Sequence, residues 1–257
     1  MPYYLHPDVK SLKVIADNWW HEPELNSRKS SRTNTPHDAQ ALARLVSTSS
    51  WAVQDPYSEG VARLVKWYRN AQAMDLHSMS NHQLENELQL FMADIDDLFF
   101  FSLLTRKVEG KSGLNRLVSV RVMDELPKGS HCGAYKQERP LTYIRMWRKR
   151  NSGKPWIFEH LICTLVHEMC HAYLDLFSDK RHPKHQRWVS DHQGHSEMFW
   201  VLLRFIARKI GVYTKSEQWR KELKSMEVEC YDLTQTRGEP GSWGTPERTL
   251  MGGLLSP

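Results

Sequence analysis

The sequence lacks the marks of a membrane-spanning, secreted or repetitive protein. No stretch approaches the roughly 20 uninterrupted apolar residues that a membrane helix needs, and the longest apolar cluster, Leu98–Leu104, contains Ser102. The first twenty residues show no charged start followed by an apolar stretch, so we expect no signal peptide. The 12 Pro and 13 Gly follow no internal repeat, which excludes a collagen-like chain. We expect a soluble, intracellular protein, with nucleus and cytoplasm both open.

Cysteine is scarce as well. Cys132, Cys163, Cys170 and Cys230 form no CxxC pair. Cys163 and Cys170 lie two turns apart on one predicted helix, about 10 Å, which is too far for a disulfide. This usage favours a reducing compartment.

The positive charge is concentrated in one part of the chain. Of the net charge of +5, residues 139–225 carry +9, from 17 Lys and Arg against 8 Asp and Glu. A basic region can indicate an anionic partner such as DNA, although a solvated basic surface is the simpler explanation. The best cluster for nucleic acid is Arg145, Arg148, Lys149, Arg150 and Lys154, with Trp147 and Trp156 as stacking candidates that are more often core residues.

Changes in composition and residues that break helices and strands divide the 257 residues into three parts. We expect an N-terminal extension over 1–80, partly helical, with a polar linker at 22–40. A central domain covers 81–213, and 214–257 holds a short helix and a tail expected to be disordered.

Hydrophobic periodicity predicts an α+β order of elements. Helical spacing predicts helices over 57–77, 81–108, 157–177, 196–210 and 215–226. Alternating or β-branched residues predict short strands over 118–122, near 133–135 and over 141–147. A capping box formed by Ser80 and Gln83 marks the start of the second helix.

The helix over 157–177 carries the HExxH motif His167-Glu168-Met169-Cys170-His171. Four residues advance a helix by about 400°, so the two imidazoles lie one turn apart on one face. Two neutral imidazoles so placed can bind one Zn²⁺ ion. Glu168, rotated by about 100° from His167, stands where a general base for zinc-bound water is needed. We interpret Cys170 as a packing residue.

A catalytic zinc usually has three protein ligands and one open position. The metzincin extension is excluded, because Leu174 and Phe177 occupy the Gly and His positions that it needs. His195 follows Gly194 and opens the next predicted helix, a position that would hold its side chain rigidly. The other candidates are His192, Glu197 for a His/His/Glu site, and the loop residues His182 and His185.

Two stretches, LVHEMCHAYL (Leu165–Leu174) and DHQGHSEMF (Asp191–Phe199), resemble the SprT-like/Spartan family of zinc metalloproteases. That family has HEMxHA on one helix and a Gly-His-x-x-x-Phe stretch opening the next, which Gly194, His195 and Phe199 match. The resemblance covers roughly residues 81–211, and upstream it extends to Cys132–Tyr135 and the strand Leu141–Trp147. No CxxC pair follows, so the zinc ribbon of many SprT-like proteins is not expected.

The resemblance implies a zincin-like metalloprotease core: a helix, a short and mostly antiparallel sheet, the HExxH helix and a second ligand helix. It implies His167, His171 and His195 as Zn²⁺ ligands and Glu168 as the base. It also implies protein substrates, which in Spartan are crosslinked to DNA. We therefore expect a zinc metallopeptidase, with DNA as a candidate partner through 139–225.

Details of the mechanism stay open at this point. A substrate could lie extended along a sheet edge, for which Leu141–Trp147 is the candidate strand. Asp175 is a candidate for orienting a ligand imidazole. Candidates for the oxyanion-stabilising group are Tyr173, Tyr143 and His192.

Two other functions remain alternatives. One is a zinc-containing binding protein on a SprT-like scaffold without turnover, against which the intact Glu168 argues. The other is a nucleic-acid-binding protein whose basic surface is its main function. The first 80 residues carry no functional signal, and residues 178–193 form an insert of open role.

Overall fold

Helices make up most of the residues that the structure describes, and a small sheet lies beside them. The structure is a computed structural model that describes residues 8–18, 37–76, 78–110, 113–127, 132–138 and 141–225. The chain divides into two units, Met1–Leu223 and Lys224–Pro257, and every contact discussed below lies within the first. The predicted α+β class is confirmed. The predicted boundaries at residues 80 and 213 stay predictions, and the tail after residue 225 lies outside the described residues.

The first part of the chain is helical where the structure describes it. Its helices are α1 (Val9–Asp17), α2 (Ala39–Ser49), α3 (Trp51–Gln54) and α4 (Glu59–Gln72). Side-chain oxygens of Asp8 and Asp38 accept hydrogen bonds from backbone N–H groups in the first turns of α1 and α2. At the start of a helix these N–H groups have no partner within the helix. The last two residues of the predicted linker at 22–40 belong to α2, which begins at Ala39. Residues 22–36 lie outside the described residues.

Helix α5 (Asn81–Phe99) begins at the predicted capping box. The side chain of Ser80 accepts from the backbone of Gln83, and the Gln83 side chain accepts from the backbone of Ser80. This satisfies two donors that a helix start would otherwise leave unpaired.

The prediction that this helix reaches residue 108 is wrong. Phe101 and Ser102 adopt left-handed backbone with φ of 60° and 58°, so the chain turns back. The buried carboxylate of Asp96 accepts from the backbone N–H of Leu104 at 3.0 Å and of Thr105 at 2.7 Å, which fixes the turn. Since Phe101, Leu103 and Leu104 are buried in this turn, the apolar run continues through it and conceals the helix end.

A hairpin that we did not predict follows. It consists of β1 (Lys107–Gly110) and β2 (Gly113–Arg116), paired antiparallel. Most of β2 is exposed, so its sequence lacks the alternation of apolar and polar residues that reveals a half-buried strand.

The main sheet has the strand order β3-β5-β4. The strands are β3 (Ser119–Val122), β4 (Gly133–Glu138) and β5 (Leu141–Met146), close to the three predicted strands. β4 pairs antiparallel with β5, and β3 pairs parallel with it. Two of the three ladders in the described residues are therefore antiparallel. β5 is the central strand, so the sheet edges belong to β3 and β4.

The edge of β3 is covered by α5. The side-chain oxygens of Gln89 and Glu85 accept from the backbone N–H groups of Val120 and Val122, at 3.0 and 3.1 Å. Side chains thus replace a neighbouring strand and leave these donors unavailable for further pairing.

Helix α6 (Phe158–Phe177) packs against α5, α7, β4 and β5, which explains why it is apolar on almost every side. Helix α7 (Glu197–Thr214) continues past Gly211, where we predicted its end, and stops at Lys215 with φ of 55°. Space does not require a glycine here, because a Cβ on Gly211 would make ordinary contact at 3.7 Å with the Cβ of the buried Trp219. A helix α8 follows over 217–225. Among the described residues, no helix has the length and apolar character to cross a membrane.

Candidate metal centre

Three imidazoles meet between α6 and the start of α7. The Nε2 atoms of His167 and His171, one turn apart on α6, are 3.1 Å from each other. The Nε2 atom of His195, just before α7, lies 2.9 Å from that of His167 and 3.3 Å from that of His171. Among the described residues, this is the one group of three or more potential ligands that can hold a metal ion.

The donor set fits a cation better than it fits a hydrogen-bond network. A neutral imidazole nitrogen is either a donor or an acceptor, so in a triangle of three Nε2 atoms at least one pair is mismatched. A tetrahedral ion with bonds of about 2.0–2.1 Å separates its ligand nitrogens by about 3.3 Å, close to the observed distances. Burial and the neighbouring imidazoles hold the pKa values of His167 and His171 well below the ordinary value. Both rings are therefore neutral at pH 7, as ligands must be.

Phe199 supports all three rings from α7. Its ring centroid lies 4.3 Å from that of His171 in a stacked arrangement, 4.7 Å from that of His167 and 5.0 Å from that of His195. Phe199 itself is fully buried. One aromatic side chain therefore restricts the rotation of each imidazole.

His195 is delivered by residues 178–195, which we call the ligand loop. The loop contains one turn of π-helix, Gln186–Ser190, and a 3-10 turn, Asp191–Gly194. Its first part is held by a hydrogen bond from the Asp179 N–H to the His37 carbonyl at 2.8 Å. Its last part is held by the Ser196 hydroxyl, which donates to the Trp188 carbonyl. The insert of open role thus has defined structure, and it positions a predicted ligand.

Gly194 is required by the approach of this loop to α6. Its φ is +90°, a conformation that side chains disfavour. A Cβ at this position would lie 3.0 Å from Cε1 and 3.1 Å from Nδ1 of His171. Any larger residue would therefore press on a ligand ring.

Glu168 has one carboxylate oxygen held and the other directed toward the cluster. Its Oε2 accepts from the backbone N–H of Tyr135 in β4 at 2.7 Å, and its Oε1 lies 3.9 Å from Nε2 of His167. Burial raises the pKa of Glu168 to about 7, whereas the Tyr135 N–H and the charge of Lys136 act in the opposite direction. A carboxyl group with this pKa can take up and release a proton near neutral pH.

A glycine allows β4 to approach Glu168 so closely. A Cβ on Gly133 would lie 2.6 Å from Cγ2 of Thr164 and 3.1 Å from Cγ of Glu168. Real side chains do not tolerate the first of these contacts without a shift of the strand, so Gly133 sets the depth at which β4 packs on α6.

The other ligand candidates are occupied elsewhere where the structure describes them. Glu197 pairs with Arg187 at 3.4 Å. His182 stacks on Trp188 with 5.0 Å between ring centroids, and His185 is buried beside Ser178. The side chain of His192 lies outside the described residues.

The geometry does not support Asp175 as the residue that orients a ligand imidazole, or Tyr173 as the oxyanion-stabilising group. Asp175 accepts from the phenol of Tyr135 at 3.0 Å and pairs with Lys180 at 2.7 Å, whereas Nδ1 of His167 has no hydrogen-bond partner among the described residues. Tyr173 is fully buried and packs on Phe100, so its hydroxyl cannot reach a substrate.

Two further side chains also serve the fold. Tyr143 is buried and receives a hydrogen bond from Arg145 at 3.0 Å. Cys170 is fully buried, as a packing residue should be.

Much of the basic cluster has structural contacts. The Arg148 guanidinium donates to the carbonyls of Leu76 and Met79. Trp156 is 8% exposed, with Arg150 over its ring and His160 stacked on it at 4.1 Å between ring centroids. Trp147 is likewise buried. Neither tryptophan offers an open face on which a base could stack.

Tyr135, which bonds to Glu168, is the part of the candidate site that sequence reasoning missed. Its position follows the close approach of β4 to α6, which depends on long-range packing. The one available signal was Gly133, a glycine inside a strand pattern, since such a glycine often marks a close backbone approach.

Comparison of the chain with models of protein families, with curated proteins and with solved structures gives no match.

Proposed function

We propose that the protein is a zinc-dependent metallopeptidase with a zincin-like core similar to that of the SprT-like/Spartan proteins. The observation that carries the proposal is the juxtaposition of three Nε2 atoms within 2.9–3.3 Å of one another with the Oε1 atom of Glu168. Ligands alone would serve a structural metal, whereas an adjacent carboxylate that is not itself a ligand is what hydrolysis requires.

His167, His171 and His195 would hold the ion. Three protein ligands are the number typical of a catalytic zinc site, whereas structural zinc sites usually have four. When bound, the ion supplies Lewis acidity to a water molecule and to the carbonyl of the scissile bond.

Glu168 performs the proton transfers. Its Oε2 is fixed by the Tyr135 N–H, so Oε1 is the atom that takes a proton from the attacking water. The same atom then donates that proton to the nitrogen of the leaving amine. Burial raises the pKa of Glu168 in the metal-free protein, and a higher pKa makes a carboxylate a stronger base.

An extended substrate fits the edge of β4 and not that of β5. Our expectation that Leu141–Trp147 forms the edge is wrong, because β5 is paired on both sides. The Trp147 N–H donates to the Cys132 carbonyl, and the Tyr135 N–H turns away from β5 to Glu168. By the alternation of an antiparallel ladder, the backbone of residues 133, 135 and 137 therefore faces outward, on the side of the metal centre. Because Glu168 already uses the Tyr135 N–H, a peptide added there would pair with the remaining outward-facing backbone groups and would lie beside Glu168.

The decisive experiment compares wild type with Glu168→Gln. Each protein is loaded with one equivalent of zinc and incubated with casein and with a mixed peptide library. We expect cleavage by wild type that a chelator abolishes, and zinc content but no cleavage in Glu168→Gln. Zinc-loaded wild type without any cleavage would instead support the non-catalytic zinc protein. Full activity of Glu168→Gln would remove the general-base role.

Association with DNA remains a weaker proposal that rests on the net charge of residues 139–225. Its test is the binding of single-stranded DNA at two salt concentrations, since phosphate contacts make affinity fall steeply with salt.

A further inference from the structure

Tyr135 contacts α6 through its backbone and through its side chain. Its N–H donates to Oε2 of Glu168 at 2.7 Å, and its phenol donates to Oδ2 of Asp175 at 3.0 Å. The other oxygen of Asp175 lies 2.7 Å from the ammonium group of Lys180, which leaves Oδ2 for the phenol. Glu168 and Asp175 are seven residues, or about two turns, apart on the helix.

These contacts fix β4 over the part of α6 that bears Glu168. At one end, Gly133 allows close packing on Thr164. At the other end, the Tyr135 phenol reaches Asp175. Thr164 and Asp175 are about 16 Å apart along the helix, and Glu168 lies between them. The strand needs such attachment because in the described residues it pairs only with β5, so its outer edge is not held by a neighbouring strand.

We infer that Tyr135 is a positioning residue for Glu168, with its phenol anchored on Asp175 so that its own N–H holds Oε2 and leaves Oε1 free for proton transfer. The inference rests on the proposed function, since it assigns the support of the proposed base. The phenol remains a donor throughout the neutral range, because burial and the charge of Asp175 raise the pKa of Tyr135 well above its ordinary value. Lys180, at the start of the ligand loop, balances the charge of Asp175.

The first test uses Tyr135→Phe, with Tyr143→Phe as the matched control. Tyr143 lies on the neighbouring strand, and its hydroxyl accepts a hydrogen bond from Arg145 at 3.0 Å. For zinc-loaded Tyr135→Phe we expect kcat to fall about tenfold, because misplacement of a catalytic group acts on the chemical step. KM and zinc affinity should stay within about twofold of wild type. Tyr143→Phe should leave all three values unchanged.

A second readout does not depend on activity. Amide hydrogen exchange at residue 135, measured by NMR in metal-free and zinc-loaded protein, reports directly on the hydrogen bond from this N–H to Glu168. We expect exchange to become about tenfold faster in Tyr135→Phe. The amide of Lys136, which by register pairs with β5, should keep its protection. Equal acceleration of both amides would show a merely structural role and would overturn the inference.

Asp175 provides variants that keep the test decisive if Tyr135→Phe does not fold. Asp175→Ala should reproduce the loss of kcat and of amide protection. Asp175→Asn should recover at least half of the lost kcat, because its amide oxygen still accepts from the phenol. Failure of Asp175→Asn to recover activity, or wild-type kcat in Asp175→Ala, would contradict the anchoring role.

The two proposals can fail separately. If zinc-loaded wild type cleaves no peptide, the proposed function fails, and the exchange of amide 135 still decides whether the phenol holds the N–H on Glu168. If wild type is active and Tyr135→Phe has wild-type kcat with a protected amide, the positioning role is overturned while the proposed function stands.

Discussion

Helix α6 and the ligand loop bring histidines to the same centre by different means. On α6, His167 and His171 meet because four residues make about one turn. His195 arrives at the end of residues 178–195, which are held by Asp179 on His37 and by Ser196 on Trp188. Two of the three ligands thus depend on local helix geometry, and the third depends on tertiary contacts.

The largest effects should come from removing a ligand on either side. His171→Ala and His195→Ala should each lower zinc affinity more than about 100-fold, since even residues that only support a ligand are worth 10–100-fold. Competition with a chromophoric chelator measures this. Near-wild-type affinity of His195→Ala combined with a loss in His192→Ala would assign the third ligand to His192 instead.

A smaller effect should follow from Gly194→Ala, which strains the ligand loop without removing a ligand. The positive φ alone costs about 1–2 kcal/mol of stability, and the new Cβ presses on the His171 ring. We expect about tenfold weaker zinc binding.

Gly153→Ala is the matched control for this variant. Its φ is +78°, but a Cβ there meets nothing within 4 Å. The free energy of unfolding, measured with urea, should fall in both variants. The affinity for zinc should fall only in Gly194→Ala. Equal zinc affinity in the two would show that contact with His171 does not matter.

Proton release on zinc binding separates Glu168 from the ligands. In metal-free protein the pKa of Glu168 is raised to about 7, so below pH 7 this side chain is mostly protonated. A bound cation favours the carboxylate and lowers that pKa. The two α6 imidazoles are already neutral and have no proton to lose.

Wild type at pH 6 should therefore release up to about one proton more than Glu168→Gln. This difference should vanish above about pH 8, where Glu168 is already ionised. Calorimetry in two buffers of different ionisation enthalpy measures the release. An equal release by both proteins at pH 6 would contradict the position assigned to Glu168.

The smallest effects are expected for histidine and carboxylate side chains near the centre that do not belong to it. His182→Ala and Glu197→Gln should change zinc affinity less than about twofold, because His182 stacks on Trp188 and Glu197 pairs with an exposed arginine. A tenfold loss in either variant would mean that the ligand loop has a different arrangement when zinc is bound.

The contrast between local helix geometry and tertiary contacts also explains which features the sequence could predict. The spacing of His167 and His171, the capping box at Ser80 and the alternation in β3 are local patterns that carry their own geometry. His195 was favoured because it opens a helix, and the cluster includes it.

Features set by long-range packing were not predictable. The central position of β5 and the bond from Tyr135 to Glu168 join segments distant in sequence. The turn closed by Asp96 joins residues only nine apart, but it depends on one buried carboxylate. Two of these features depend on a single buried polar group, and the third depends on the order of strands in the sheet. Neither cause produces a periodic pattern in the sequence.

The most direct test of the central claim is zinc K-edge X-ray absorption on protein loaded with one equivalent of zinc. Three imidazoles on one ion predict three histidine-type nitrogen scatterers at about 2.0–2.1 Å with one further light ligand, and two such nitrogens in His195→Ala. Sulfur scattering, fewer than three imidazoles in wild type, or no change in His195→Ala would contradict the account.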